Sequence, residues 1–401
     1  MNFLKKLGPG LLFAGAAIGV SHLVQSTRAG ADFGFGLLWA LLLVNLFKYP
    51  FFQFGPRYAM ATGESLLEGY QKLGKGVLLA YFALSLGTMV TIQAAVTIVT
   101  AGLAVQLFGI TTDITLWCFI ITAICFAILI IGKYKVLDTV MKVIISILTV
   151  TTVIAVASAV GFNESSIEWT QVLPKNNTQW VFLIAFMGWM PAPLDVSVWH
   201  SLWTIEKQKT LSKPPNKNMI DFKIGYLITL FLGVCFLSLG ALVMFGSGQT
   251  FSNQGVTFSK QLIDLYTTNL GSGAFLIIAL AAFTTMFSTT LTCLDASPRA
   301  MAKTSELLNF SFLKKYTVWL AILAVSTLIV LVFFLSEMGL LVKIATVLSF
   351  LTAPFYAVIN LRLITSQHTP KAWRPSLLIK IISVLGIVFL LGFSFWYLSI
   401  L

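Results

Sequence analysis

Two stretches of the sequence combine groups able to hold or move a cation with residues that interrupt a helix. The first, GPGLLFAGAAIGVSHLVQSTRAG, begins at Gly8 and carries Gly15 and Gly19 ahead of Ser21, His22, Gln25, Ser26, Thr27 and Arg28. The second, WVFLIAFMGWMPAPLDVSVWHSLW, begins at Trp180 and carries Gly188, Met190, Pro191, Pro193, Asp195 and His200. A carboxylate can ligand a cation or carry a proton. An imidazole can ligate a transition metal or titrate near neutral pH, and a thioether favours soft transition metals over calcium and magnesium. An ionisable residue inside an apolar run is costly to keep, so function is its default reading. Asp195 is thus the strongest candidate ligand or proton carrier, and its other role is to cap the helix that follows it. His22, one turn after Gly19, is a metal-ligand candidate or a buried histidine bonded across helices. Met190 offers sulfur or is apolar filler. His200 is a proton-pathway candidate or an interfacial structural histidine.

These residues need elements to position them, and composition says what kind. Of 401 residues, 58% are apolar and only 10% charged, and the mean hydropathy is +0.91. An ordinary soluble chain has about a quarter of its residues charged, and continuous runs of roughly 20 apolar residues indicate transmembrane helices. The runs do not alternate, which excludes a β-barrel. The expected fold is therefore an all-α integral membrane protein forming one transporter domain over 1–401. Eleven spans are predicted, over 8–29, 35–56, 77–107, 115–132, 136–160, 180–203, 221–247, 272–298, 314–336, 339–365 and 376–399. The apolar run after Met1 to Lys6 continues to about Ala29, too long for a signal-peptide core, so it counts as the first span. The connections 161–179, 204–220 and 248–271 are too short and polar to fold alone, and Lys213-Pro214-Pro215-Asn216 reads as a loop.

Orientation follows from charge. Of the 26 Lys and Arg, eighteen fall in segments that are cytoplasmic if the N-terminus is inside, three (Arg28, Lys175, Lys260) fall outside, and five lie within or at the ends of spans. Basic residues concentrate in cytoplasmic loops. The expectation is an N-terminus inside, a C-terminus outside and a plasma-membrane location. The excess of 12 positive charges then reflects topology and leaves no support for a nucleic-acid partner. The partners expected are the bilayer and a small cation or small-molecule substrate.

Pro191 and Pro193 remove backbone donors and should unwind the sixth span locally. Interrupted helices in matching positions of two halves point to a secondary-transporter binding site at the midplane. The first and sixth spans are five apart, which fits two inverted five-helix repeats, about 8–160 and 180–365, plus an extra helix over about 376–399. Gly188, Pro191 and Pro193 are the expected helix-break residues, and Gly15 and Gly19 equally form a small-residue pair for close packing. Cys118, Cys125, Cys235 and Cys293 lie in apolar runs without metal-ligand spacing and are expected to pack in the core. Asp138 and Asp295 are expected as caps or salt-bridge partners at inner helix ends. Lys48 and Lys343 are expected to snorkel, and the hydroxyls of 284–292 to bond between helices. There is no nucleotide-binding loop, no His-Glu-x-x-His and no Gly-x-Ser-x-Gly, so neither an ATP-driven pump nor an intramembrane enzyme is expected, nor any resident cofactor.

Several stretches resemble the NRAMP family of proton-coupled divalent metal transporters. They are Gly8-Pro9-Gly10-Leu11-Leu12, Ala31-Asp32-Phe33-Gly34 with Leu37-Leu38-Trp39, Ala61-Thr62-Gly63-Glu64-Ser65-Leu66-Leu67-Glu68, Tyr134-Lys135-Val136-Leu137-Asp138 and Met190-Pro191. The resemblance implies a LeuT-type 5+5 inverted repeat with broken helices 1 and 6. It also implies a divalent metal cation as substrate, with a proton as coupling ion. The departures fall on the metal site. Gly19 stands where the family has a ligand Asp, His22 where it has a ligand Asn, Ala192 where it has a His, and Thr352 where it has a Gln. A divalent cation loses much Coulomb stabilisation with that carboxylate. The expected site therefore uses Gly19, His22, Met190, Asp195 and Thr352, with Asp195 and His200 on the proton pathway. His22 is expected slightly outward of the break and Asp195 slightly inward. A carrier of a small organic solute and a non-transporting sensor or scaffold are the alternatives.

Overall fold

A computed structural model of the chain describes residues 9–131, 134–162, 168–209, 219–248, 250–271, 273, 275–334 and 337–399. The 213–216 loop and the first eight residues lie outside these, as does the side chain of Asp138. The described residues are almost entirely helical, with no strand among them. In chain order the helices are α1 (Pro9–Ala17), a π-helical segment (Ser21–Ser26), α2 (Thr27–Phe33), α3 (Leu38–Thr62), α4 (Leu66–Leu73), α5 (Lys75–Phe108), α6 (Ile114–Ile131), α7 (Tyr134–Phe162), α8 (Asn177–Trp189), α9 (Val196–Gln208), α10 (Ile220–Val243), α11 (Gly255–Leu270), α12 (Phe275–Leu307), α13 (Tyr316–Phe334), α14 (Met338–Thr365) and α15 (Leu377–Ser399). Each predicted span overlaps a helix or an interrupted pair of helices. Among the described residues seven helices are long and apolar enough to cross a membrane, and the bent first pair, counted as one span, makes eight.

Three differences from expectation have physical causes. The predicted 248–271 connection is mostly the helix α11, whose Phe258, Leu262 and Ile263 are fully buried and whose amphipathic face packs on α5 and α12. The predicted end of the eighth span at Pro298 is overrun, because α12 continues to Leu307. Its extension buries Ala300 and Met301 and is held by the Arg299–Asp295 pair at 2.7 Å. The segment after the second span forms the short helix α4, capped by Ser65 and Glu68 in a reciprocal box.

Span one runs along α10, and glycines let the two backbones nearly touch. A methyl on Gly225 would sit 2.0 Å from the Gly10 carbonyl oxygen, so only glycine is accommodated there. Asp221 of α10 accepts from the Gly10 amide at 2.7 Å, which fixes the start of α1. The four cysteines are buried and unpaired, as core packing requires.

Candidate functional site at the breaks of the first and sixth spans

α1 stops at Ala17, and the chain resumes as a helix at Ser21, bent by 47°. The new helix begins with a widened π turn, stabilised by hydroxyls that bond back to the backbone. Ser26 reaches the Ser21 carbonyl at 3.2 Å and Thr27 the His22 carbonyl at 3.4 Å. A helix end leaves carbonyls without intrahelical partners. Here Ser21 Oγ lies 2.7 Å from the Ala17 oxygen, and Thr289 of α12 stands 3.2 Å from the Gly15 oxygen and 3.3 Å from that of Ile18.

Span six breaks between Trp189 and Val196. Pro191 and Pro193 supply no N–H groups, so the carbonyls at the end of α8 need donors from elsewhere. Lys48 provides them. Its side chain, 0% exposed, reaches from α3 and places Nζ 2.7 Å from the carbonyl oxygens of Met187 and Gly188 and 3.3 Å from that of Ala192. Lys48 therefore does not snorkel. Sequence reasoning passed over it, although a lysine near the middle of an apolar run was the available signal.

The predicted site residues do not all converge. His22 is fully buried and turned toward α10. Its Nε2 lies 2.9 Å from the Thr229 carbonyl, which can only accept, and its Nδ1 lies 2.6 Å from Ser21 Oγ. Both ring nitrogens are thus engaged, which matches the cross-helix alternative and not a free ligand. Met190 sits in the break but packs its thioether beside Gly233 of α10. Thr352 bonds back to Ser349 at 3.2 Å, and the contact from α14 to the break is Ser349 instead, which accepts from Trp189 Nε1 at 2.7 Å. Gly188 belongs to the last turn of α8 and not to the break. His200 is 1% exposed and stacks on Phe13 at 5.5 Å, and its Nδ1 has no partner.

Asp195 closes the break just ahead of α9. Its side chain makes no capping bond, and its Oδ1 is buried without a hydrogen-bond partner. Asp295 is a salt-bridge partner as expected, bound by Arg299 and by Tyr316 at 2.8 Å. Of the hydroxylated run in α12, Thr289 and Thr290 reach other helices, while Thr284, Thr285, Ser288 and Thr292 bond within α12.

A small cavity of about 20 Å³, room for about one water, lies between the breaks. Gly19, Ser21, Pro193, Trp189, Trp199 and Thr289 are among its walls, whereas His22, Met190, Asp195 and Thr352 are not. Gly19 brings Thr289 close, since a methyl there would lie 2.8 Å from the threonine Cγ2. Asp195 lies in sequence between Pro193 and Val196, which both line the cavity. Among the described residues no three His, Cys, Asp or Glu side chains are grouped to hold a metal. A larger space of about 450 Å³ opens between α4, α9 and α12, walled by Trp203, Arg299 and Lys303. Lys303 pairs with Glu68 at 3.3 Å there.

Solved structures share the fold. A manganese transporter of Eremococcus coleocola, solved as a single-residue mutant, superposes with a TM-score of 0.69 at 14% identity over 96% of this chain and 84% of that one. MhsT in complex with L-phenylalanine gives 0.68 at 13% over 96% and 98%. Mhp1, a nucleobase-cation-symport-1 family transporter, gives 0.60 at 13% over 98% and 93%. The fold is accordingly the LeuT type, with its first and sixth helices broken. The uncharacterized protein PM0681 of Pasteurella multocida is 34% identical over 98% of this chain and 92% of its own length. The model described as natural resistance-associated macrophage protein-like matches residues 10–399, and the chain belongs to that Nramp family.

Proposed function

We propose that this protein is a secondary active transporter that works by alternating access around the two breaks, with a divalent metal cation as substrate and a proton as coupling ion. In this reading it crosses the plasma membrane eleven times, N-terminus in the cytoplasm and C-terminus outside. Two inverted repeats, about 8–160 and 180–365, carry the site, and the helix over about 376–399 is additional. It is a carrier and not an enzyme.

The observation that carries the reading is the unsatisfied Oδ1 of Asp195, a buried carboxylate oxygen flanked in sequence by two residues of the cavity wall. A buried charged oxygen without a donor is costly, and a cation or proton entering the cavity supplies its missing partner. Family membership supports the substrate class, and the related fold of a manganese transporter agrees with it. With His22 engaged by Ser21 and Thr229, Asp195 and backbone carbonyls of the breaks are the ligands left.

One observation favours a small organic solute. The cavity is walled by Trp189, Trp199, Ile92 and Val96 with no carboxylate side chain, and the fold is shared with MhsT, solved with L-phenylalanine. The test is flux into proteoliposomes holding a manganese-quenched dye and a pH reporter, for the native chain and Asp195→Asn. Manganese entry with acidification, abolished in the variant, supports the metal reading. No flux of manganese, iron, cobalt or magnesium in a folded, oriented preparation rejects it, and stabilisation by amino acids would then support the second.

A further inference from the structure

A buried ammonium that occupies three backbone carbonyls at a broken helix does the work of a bound ion. α8 ends at the break with its free carbonyls converging, and a helix C-terminus carries partial negative charge. Lys48 meets two of these oxygens, those of Met187 and Gly188, at 2.7 Å each and the Ala192 carbonyl of the break itself at 3.3 Å, with an ammonium that has three protons to give. Asp195 follows the third of these carbonyls, that of Ala192, by three residues. The side chain comes from a different span, and no part of it is exposed.

We propose that Lys48 is a tethered cation, filling a carbonyl cradle that would otherwise take a free monovalent cation. Two features of the cradle support this. Its oxygens are neutral carbonyls, a field suited to a single positive charge. The helical donor to the Met187 carbonyl would be the amide of position 191, which is a proline and has none. A fixed charge on α3 also joins the second span to the hinge of the sixth, so the two halves of span six are held in one arrangement while Lys48 is seated. The inference concerns the chain's own residues and does not depend on whether the transported solute is a metal or an organic molecule.

The test is the thermal stability of the purified full chain in choline, sodium, potassium and ammonium chlorides at equal ionic strength. Two variants accompany the native chain: Lys48→Ala, which vacates the cradle, and Lys48→Met, which removes the charge but keeps the space filled. The native chain is expected to melt at the same temperature in all four salts. Lys48→Ala is expected to melt lower in choline and to recover with one or more of the small cations. That recovery should saturate with concentration, as binding to the folded state requires. Lys48→Met is expected to melt lower and to respond to none of them. Equal melting of Lys48→Ala in all four salts, or its failure to be recovered in any, overturns the proposal. So does a saturable cation response in the native chain or in Lys48→Met. Because the readout is stability and not flux, a failure here leaves the transport reading untouched, and a failure of flux leaves this one standing.

Discussion

The hydroxyl of Ser21, in the break of the first span, stands 3.3 Å from the carbonyl oxygen of Pro191, in the break of the sixth. The same hydroxyl oxygen is 2.7 Å from the Ala17 carbonyl and 2.6 Å from His22 Nδ1, so three acceptors drawn from both breaks compete for its one proton. A side chain that touches both interrupted helices is placed to register their motion against each other.

Ser21→Ala keeps the volume and removes this link. It should lower stability by about 1 kcal/mol, the order expected when a buried hydrogen bond is lost inside a membrane protein. Substrate flux should fall further than that loss of folded protein explains, because the breaks would no longer move together. Melting temperature and initial flux, measured on the same preparation, separate the two effects. Ser21→Thr retains the hydroxyl and should lose less of both.

Gly188 predicts a packing effect and not a hinge effect. A methyl there would lie 2.1 Å from the Thr346 carbonyl oxygen, which is backbone and cannot rotate away, so α8 and α14 must separate. Gly188→Ala should cost about 1 to 3 kcal/mol, the usual range for overpacking. Gly87→Ala in α5, where nothing lies within 4 Å, should melt at or above the native temperature. Thermal denaturation of the two variants side by side checks both.

The helices were legible because apolar runs and charge asymmetry are properties of the chain alone. Pro191 and Pro193 likewise announced the break, since a missing N–H is a local fact. What stayed hidden is side-chain direction, which depends on the partner helix. Lys48 points inward because unpaired carbonyls wait at the end of α8, and His22 points to Thr229 because α10 crosses span one closely. Met190 and Thr352 follow the same rule, each sitting near the break in sequence and facing elsewhere. The helix α11 was hidden for another reason: its apolar face is one stripe among polar residues, too diluted to register as a hydrophobic run.

His22 and Asp195 should separate folding from function. His22→Phe fills the space but removes the ring's bonds to the Thr229 carbonyl and to Ser21, so its melting temperature should drop by the equivalent of about 1 to 3 kcal/mol. The protein that remains folded should still be stabilised by manganese. Asp195→Asn keeps the shape of the side chain and removes its negative charge, so it should fold and lose the manganese response. Titrating manganese against melting temperature in both variants checks the pair. A lost response in His22→Phe with a retained one in Asp195→Asn would reassign the ligand.

Gly19 offers the strongest test of how the metal reading survives without the carboxylate that the family resemblance places at this position. A side chain there collides with Thr289, at 2.8 Å from Cγ2 and 2.9 Å from Oγ1, and with no backbone atom among its nearest neighbours. Gly19→Asp alone should therefore fold poorly, since Thr289 is also bonded to the carbonyls of Gly15 and Ile18 and resists displacement. Gly19→Asp combined with Thr289→Ala opens the space and puts a carboxylate on the cavity wall. If the cavity is a metal site supported chiefly by Asp195, a second negative charge should tighten manganese binding by about tenfold or more, a gain of roughly 1.4 kcal/mol. Manganese affinity of the double variant, read by calorimetry against Thr289→Ala alone, measures this gain. No gain in a folded double variant would mean that the cavity does not receive a divalent cation, and the organic-solute reading would take its place.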